Sequence, residues 1–224
     1  MKRIILTLLI LSICWISKGQ ISISAGTGFL NGVGTGLKPL GFHLGIELPR
    51  SSDLTFYFRA AAYLPSQRMD TAKMTAIDPT TTSPYELLVS YQNKSTTFYF
   101  EGGTRSYLLN DYDNGFALYG GSIFGIGINR TVFKYDAYNL TQAYAWEGKY
   151  LPLTGSDTKG NIYYLAIGLQ GGMKYTIPIK GTIFMDVTGT YAILGYPNNT
   201  VGASSITFSR LNLLFNLGYR RDLY

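Results

Sequence analysis

Large apolar and polar residues alternate with a period of two over much of this chain. The stretch 206–220 shows it most cleanly: Leu211, Leu213, Phe215, Leu217 and Tyr219 share one face, and Arg210, Asn212, Asn216, Gly218 and Arg220 the other. Leu214 is the single apolar residue on the polar side. That period belongs to a strand with one greasy and one polar face. Further stretches repeat it. Phe42, Leu44, Ile46 and Leu48 alternate with His43 and Glu47, and Leu54, Phe56, Phe58, Ala60, Ala62 and Leu64 with Thr55, Tyr57, Arg59, Ala61 and Tyr63. Phe98, Phe100 and Leu108 oppose Tyr99, Glu101, Arg105 and Tyr107, and Phe116, Leu118, Phe124, Ile126 and Ile128 oppose Tyr119 and a Gly121, Gly125, Gly127 row. Tyr163, Leu165, Ile167, Leu169, Met173, Tyr175 and Ile177 oppose Tyr164, Gln170, Lys174 and Thr176, and Ile183, Met185, Val187, Tyr191 and Ile193 oppose Asp186, Thr188 and Thr190. The pattern predicts eight strands, near 21–30, 40–48, 54–64, 95–109, 115–129, 161–177, 182–194 and 206–220.

The connections alternate in length. Those at 31–39, 65–94 and 130–160 are long and that at 195–205 is intermediate, whereas 49–53, 110–114 and 178–181 are tight and carry turn-forming residues. Alternation of this kind sorts the loops to the two ends of a transmembrane barrel, short turns at one end and long loops at the other. The fold class expected is all-β, an eight-stranded antiparallel up-and-down transmembrane β-barrel with lipid on the apolar face. In a soluble lipocalin-like binding barrel the same greasy face would instead line a cavity. No charged residue falls on any of the apolar faces, where Lys or Arg would cost about 2–4 kcal/mol at mid-bilayer.

Composition sharpens this. Charged residues make up 14% of the 224, well below the roughly one quarter usual in soluble domains, and the chain holds 19 Tyr, 12 Phe and 26 Gly. Residues 1–20 read as an export signal, with Lys2 and Arg3 ahead of an apolar run from Ile4 to Ile16 that is too short to span a bilayer. Leu11-Ser12-Ile13-Cys14 has the outline of a lipobox, but Ile13 is bulky where a small residue is expected. With the signal go Lys2, Arg3 and Lys18, so the net charge falls from +6 to +3, which is no footprint for nucleic acid. The sole Cys leaves too, removing disulfide and thiol chemistry. Residues 21–224 are then one barrel domain.

The closing stretch, with an aromatic at Tyr219 or Tyr224, resembles the last strand of bacterial outer-membrane barrels. With its strand pattern and loop sorting, the chain resembles the small eight-stranded outer-membrane β-barrels of the OmpA and OmpX type, and specifically the Bacteroidota outer-membrane β-barrel domain. A Gln at the start of the mature chain is similar to exported proteins of that group. The resemblance implies an outer-membrane location, contact with outer-membrane lipid and periplasmic termini.

Candidate chemistry is sparse. His43 is the single histidine, which excludes a His-based metal cluster, and the Gly-rich segment 26–36 lacks the Lys-Ser/Thr and following helix of a phosphate loop. Ser22, Ser24, His43 and Glu47 could be drawn as a hydrolytic set, but they would face a crowded lumen. No catalytic residue, cofactor or metal is expected. The inner face instead predicts a lumen charge network of His43, Glu47, Arg59, Glu101, Arg105, Lys174, Asp186 and Arg210. Turn lengths place Lys174 opposite Asp186 and Arg59 opposite His43, leaving Glu101 to Arg59, Arg105 or Arg210. A lumen so filled is plugged. Partner binding, to protein or glycan, is expected at the long loops 65–94 and 130–160, with Tyr135, Tyr138, Tyr144, Trp146 and Tyr150 as candidate contacts, the alternative being that these rings fold back on the rim. Asp70-Thr71-Ala72 resembles a short Bacteroidota O-glycosylation motif. The function expected is structural, adhesive or partner-binding. The alternatives are an accessory component of a secretion or envelope-assembly machine and, behind it, an outer-membrane lipid-modifying enzyme.

Overall fold

A computed structural model describes residues 21–112, 115–135, 143–146, 157–198 and 208–223. Nine strands are present among the described residues: β1 (Ile21–Gly32), β2 (Leu40–Pro49), β3 (Leu54–Ala76), β4 (Glu86–Leu109), β5 (Phe116–Tyr135), β6 (Tyr144–Trp146), β7 (Asp157–Ile177), β8 (Gly181–Asn198) and β9 (Leu211–Leu223). Every neighbouring pair is antiparallel, and β1 pairs with both β2 and β9 while β2 also pairs with β3. Eight long strands therefore close into an up-and-down ring, and the three-residue β6 lies outside it, paired with the end of β3. Closure removes the sheet edges that an isolated strand array would leave unpaired.

Burial runs inside out for a water-soluble protein. Phe42, Leu44, Phe100 and Leu217 are each more than half exposed on the outer wall, while Thr55, Thr182 and Thr188 are fully buried in the lumen. An apolar wall of this extent is stable only against hydrocarbon. Aromatic rows mark its limits. At the short-turn end Phe116, Tyr175, Ile183 and Tyr219 stand in register across four strands, and at the other end Phe98, Ile128, Tyr163 and Tyr196 do the same. Tyr163 and Tyr175 lie twelve residues apart on β7, which for a strand tilted by about 40° is a height of roughly 30 Å, the thickness of a bilayer's hydrocarbon core.

Three expectations change. The long segment 65–94 is mostly strand: β3 and β4 continue through it as a two-stranded ribbon, joined at 77–85. Leu64 and Pro65 together oppose Thr96, a bulge that shifts the register between Tyr63 and Ser66. Proline cannot donate to the ladder, and a one-residue insertion moves the following side chains to the opposite face. Alternation read along the sequence breaks there although the strand does not. The motif Asp70-Thr71-Ala72 sits inside this ribbon, with Thr71 exposed. Segment 130–160 is likewise shortened from both sides, by β5 reaching Tyr135 and β7 starting at Asp157, and it contains β6.

The third change is register. The turn after β7 is 178–180, with Ile177 opposite Gly181, so Lys174 faces Phe184 and Asp186 faces Gly172. A turn centred one residue earlier than expected moves every pair by two. The turn after β2 shifts the other way, its centre one residue later than expected, so Arg59 faces Gly45, and His43 faces Ala61. Arg59 does stand directly opposite Glu101.

Candidate functional site

The lumen is where the fold gathers its ionisable residues. Arg59 on β3 donates from Nε to Glu101 Oε1 at 2.6 Å and from Nη1 to Asp186 Oδ2 at 3.0 Å. In an eight-stranded ring β3 and β8 are four strands apart by either route. The Arg59–Asp186 pair therefore spans the full diameter. Asp186 also accepts from Arg105 Nη2 at 3.2 Å, Asn216 Nδ2 at 2.8 Å and the Tyr119 hydroxyl at 3.4 Å.

A second knot lies nearer the short turns. Glu47 Oε1 accepts from the Thr55 hydroxyl at 2.6 Å and the Tyr107 hydroxyl at 2.9 Å. Its Oε2 accepts from Arg105 Nη1 at 2.9 Å and Arg220 Nη1 at 3.5 Å. Arg105 links the two knots, and its guanidinium lies 4.2 Å from the Tyr57 ring centre and 4.9 Å from that of Tyr119. Arg220 covers the Tyr112 ring at 3.9 Å and pairs with Asp222 at 3.3 Å. Lys174 donates to Thr176 Oγ1 at 3.2 Å, with Tyr107 and Tyr112 ring centres 5.1 and 5.2 Å away. Arg59, Arg105, Lys174 and Arg220 thus share the lumen with Glu47, Glu101, Asp186 and Asp222, so charge is balanced where desolvation would otherwise be costly.

Above the charges, toward the long loops, a layer of aromatic and apolar side chains crosses the lumen. Tyr63, Tyr99, Tyr164, Leu30 and Leu214 pack as one buried cluster, with Tyr99 and Tyr164 stacked at 6.0 Å. This accounts for Leu214, the apolar residue on a polar face. The cluster needs the inner-face glycines of β5: a Cβ at Gly125 would strike the Tyr99 ring, and one at Gly127 the Tyr164 ring. Tyr99 and Tyr164 occupy the space that Gly125 and Gly127 leave free.

Seven of the eight predicted network residues lie in the lumen. His43 is buried against Phe184 at 5.9 Å between ring centres. Arg210 is the exception. The β9 ladder begins at Leu211, so Arg210 stands at a bend beyond it and is exposed. Arg220 occupies the role in its place. Parity had set Arg220 and Asn216 on the polar face. Tyr112 lies in a turn, where no alternation exists to find it.

The loop candidates divide differently. Tyr138 and Tyr150 lie outside the described residues, as does Tyr224. Tyr135 ends β5 opposite Tyr91, and Trp146 sits in β6 opposite Met74. Tyr144 is not a free contact residue. It is buried with Met74, Ala76 and Val89, and its hydroxyl donates to the Pro84 carbonyl at 2.9 Å. Pairing of β6 with β3 turns this ring inward onto the ribbon.

No protein-family model matches the sequence, and no curated protein does. Solved structures do match. A major outer membrane protein of Thermus thermophilus aligns with a TM-score of 0.50 at 12% identity, over 92% of this chain and 99% of that one. Ail, the attachment invasion locus protein of Yersinia pestis, aligns at TM-score 0.43 and 13% identity over 91% and 97%. Neisserial surface protein A aligns at 0.43 and 12% over 91% and 96%. The ring of antiparallel strands, its apolar outer wall and the likeness to the Thermus protein give this chain the fold of the small eight-stranded outer-membrane β-barrels, the OmpA and OmpX type.

Proposed function

We propose that this chain is an outer-membrane barrel with a plugged lumen, acting through its long-loop end in a structural, adhesive or partner-binding role. The observation that carries the reading is the Arg59–Asp186 pair across the diameter, with Glu101, Arg105 and Glu47 tied to it. An ion crossing the lumen would have to break buried charge-assisted hydrogen bonds and then pass the tyrosine layer. Small barrels have lumens that side chains just fill. In this reading residues 1–20 are an export signal that is removed, and 21–224 are the barrel domain. The end carrying Ile21, Leu223 and the short turns then faces the periplasm, and the β3–β4 ribbon with β6 rises from the outer surface toward a protein or glycan partner. A source in Bacteroidota rests on the sequence resemblance.

Planar-bilayer recording tests the plug. Purified protein should leave the membrane silent or produce only rare, brief openings. Large, stable conductance steps would overturn the reading and make the protein a pore.

A further inference from the structure

The outer wall changes character abruptly above the upper aromatic row. One step up, Thr96, Arg130 and Asn161 stand in register, and one step further Lys94, Val132 and Lys159. Lys94, Arg130 and Lys159 are all exposed, and Lys94 and Arg130 each stand between two buried residues of the inner face. Lys94 and Lys159 flank Val132 from either side, which sets their backbones about 10 Å apart, and Arg130 precedes Val132 by two residues, about 7 Å along the strand. In the row beyond, Lys134 pairs in register with Asp157. Three cations thus occupy a patch about 10 Å across, directly above Phe98, Ile128 and Tyr163.

Below and beside them the wall is hollowed. Ala60 and Ala62 on β3 form a floor between Phe42 and Leu44 on one side and Phe98 and Phe100 on the other, in two adjoining hollows of about 690 and 740 Å³. The hollow's β4 wall runs up into Lys94 on the same strand. A large apolar side chain at 60 or 62 would fill it.

We propose that Lys94, Arg130 and Lys159 bind the phosphate-bearing headgroup of a membrane lipid, one of whose acyl chains lies in the Ala60–Ala62 hollow. Aromatic rows sit at the level where hydrocarbon meets headgroup, so side chains one or two rows above reach lipid phosphates rather than solvent. Clustered Lys and Arg at that depth attract anionic lipid, with each cation adding to the affinity. A protein loop would meet the cations but would have no use for the hollow below, which an acyl chain fits. The inference rests on the outer-membrane reading, with this end at the outer leaflet.

The test uses the purified mature barrel in an uncharged maltoside detergent, titrated with bisphosphorylated lipid A, with the same lipid lacking its phosphates and with inorganic phosphate. Native mass spectrometry reads the bound lipid, and the temperature of the folded-to-unfolded gel shift reads stabilisation. Phosphorylated lipid A should bind, weaken with added salt, and weaken at least about tenfold in the triple variant Lys94→Gln, Arg130→Gln, Lys159→Gln. Ala62→Phe should weaken lipid binding without altering its salt dependence. Equal binding of the phosphorylated and dephosphorylated lipids would overturn the proposal. So would a wild-type affinity insensitive to salt, which needs no variant to fold. Competition by inorganic phosphate at the lipid's own concentration would show a simple anion site and overturn it as well. Detergent has no sidedness, so these results are independent of the topology measured on cells: an inverted barrel and a failed lipid site give different outcomes.

Discussion

Asp186 accepts from Arg59, Arg105, Asn216 and Tyr119 at once. Asp186→Ala leaves two buried guanidinium groups short of a counter-charge, which typically costs about 3–5 kcal/mol. The midpoint of the heat-induced gel shift should fall markedly, while Asp186→Asn, which keeps the acceptor oxygen, should fall less. Ile179 is the opposite case. It is a β-branched residue at φ 67° in the turn after β7, almost fully exposed and without a role in the lumen. Ile179→Gly removes the Cβ clash of that conformation, worth about 1–2 kcal/mol. The variant should unfold at a higher temperature than wild type, and a fall would mean the isoleucine side chain contributes an unrecognised contact.

At the scale of elements, the β3–β4 ribbon extends beyond the closed ring and is held by local contacts. Met74, Ala76, Val89 and Tyr144 bury one side, and the Lys73–Glu86 ion pair on the exposed side adds little. Tyr144→Ala should release β6 and speed proteolysis within 77–85, while the barrel's own unfolding temperature stays put. The tip is pinned by Asp78, which accepts from the Thr80 hydroxyl at 2.6 Å, the Thr80 amide at 2.9 Å and the Thr81 hydroxyl at 2.9 Å. The Thr80 hydroxyl, followed by the Thr80 amide, holds the Asp78 carboxyl below its ordinary range. A lowered folded-state pKa gives stability that is present above the ordinary aspartate pKa of about 3.9 and lost as pH falls through the folded value. Tip cleavage by an acid-tolerant protease should therefore accelerate below about pH 4, and Asp78→Ala should reach the same rate at neutral pH.

For the whole molecule, closure and loop sorting make joint predictions. A ring without edges should survive detergent unboiled and migrate differently once boiled. Protease added to intact cells should cut within 77–85 and spare 50–53, 110–115 and 178–180. First cuts in the short turns would invert the topology. Recovery of the protein from the soluble periplasm would defeat the membrane reading.

Alternation determined the strand count of the ring and which residues share a face, because a period of two is a local property that closure only has to respect; that the apolar face is the outer one followed from the low charge and the sorted loop lengths. Phe42, Leu44, Phe58, Phe100 and Leu217 lie on the outer wall for that reason. The lumen membership of Glu47, Arg59, Glu101, Arg105, Lys174 and Asp186 was legible in the same way. Their partners were not. A turn placed one residue off moved Lys174 from Asp186 to Phe184, and only the closed ring set Asp186 across the diameter from Arg59. Bulges hide from a periodic reading too, so Pro65 concealed a ribbon that continues past it. Tyr112 enters the lumen from a turn, Arg210 leaves it by one residue of ladder, and Tyr144 turns inward through a three-residue strand. Each of these depends on where distant strands end, a property of the assembled ring that local sequence does not carry.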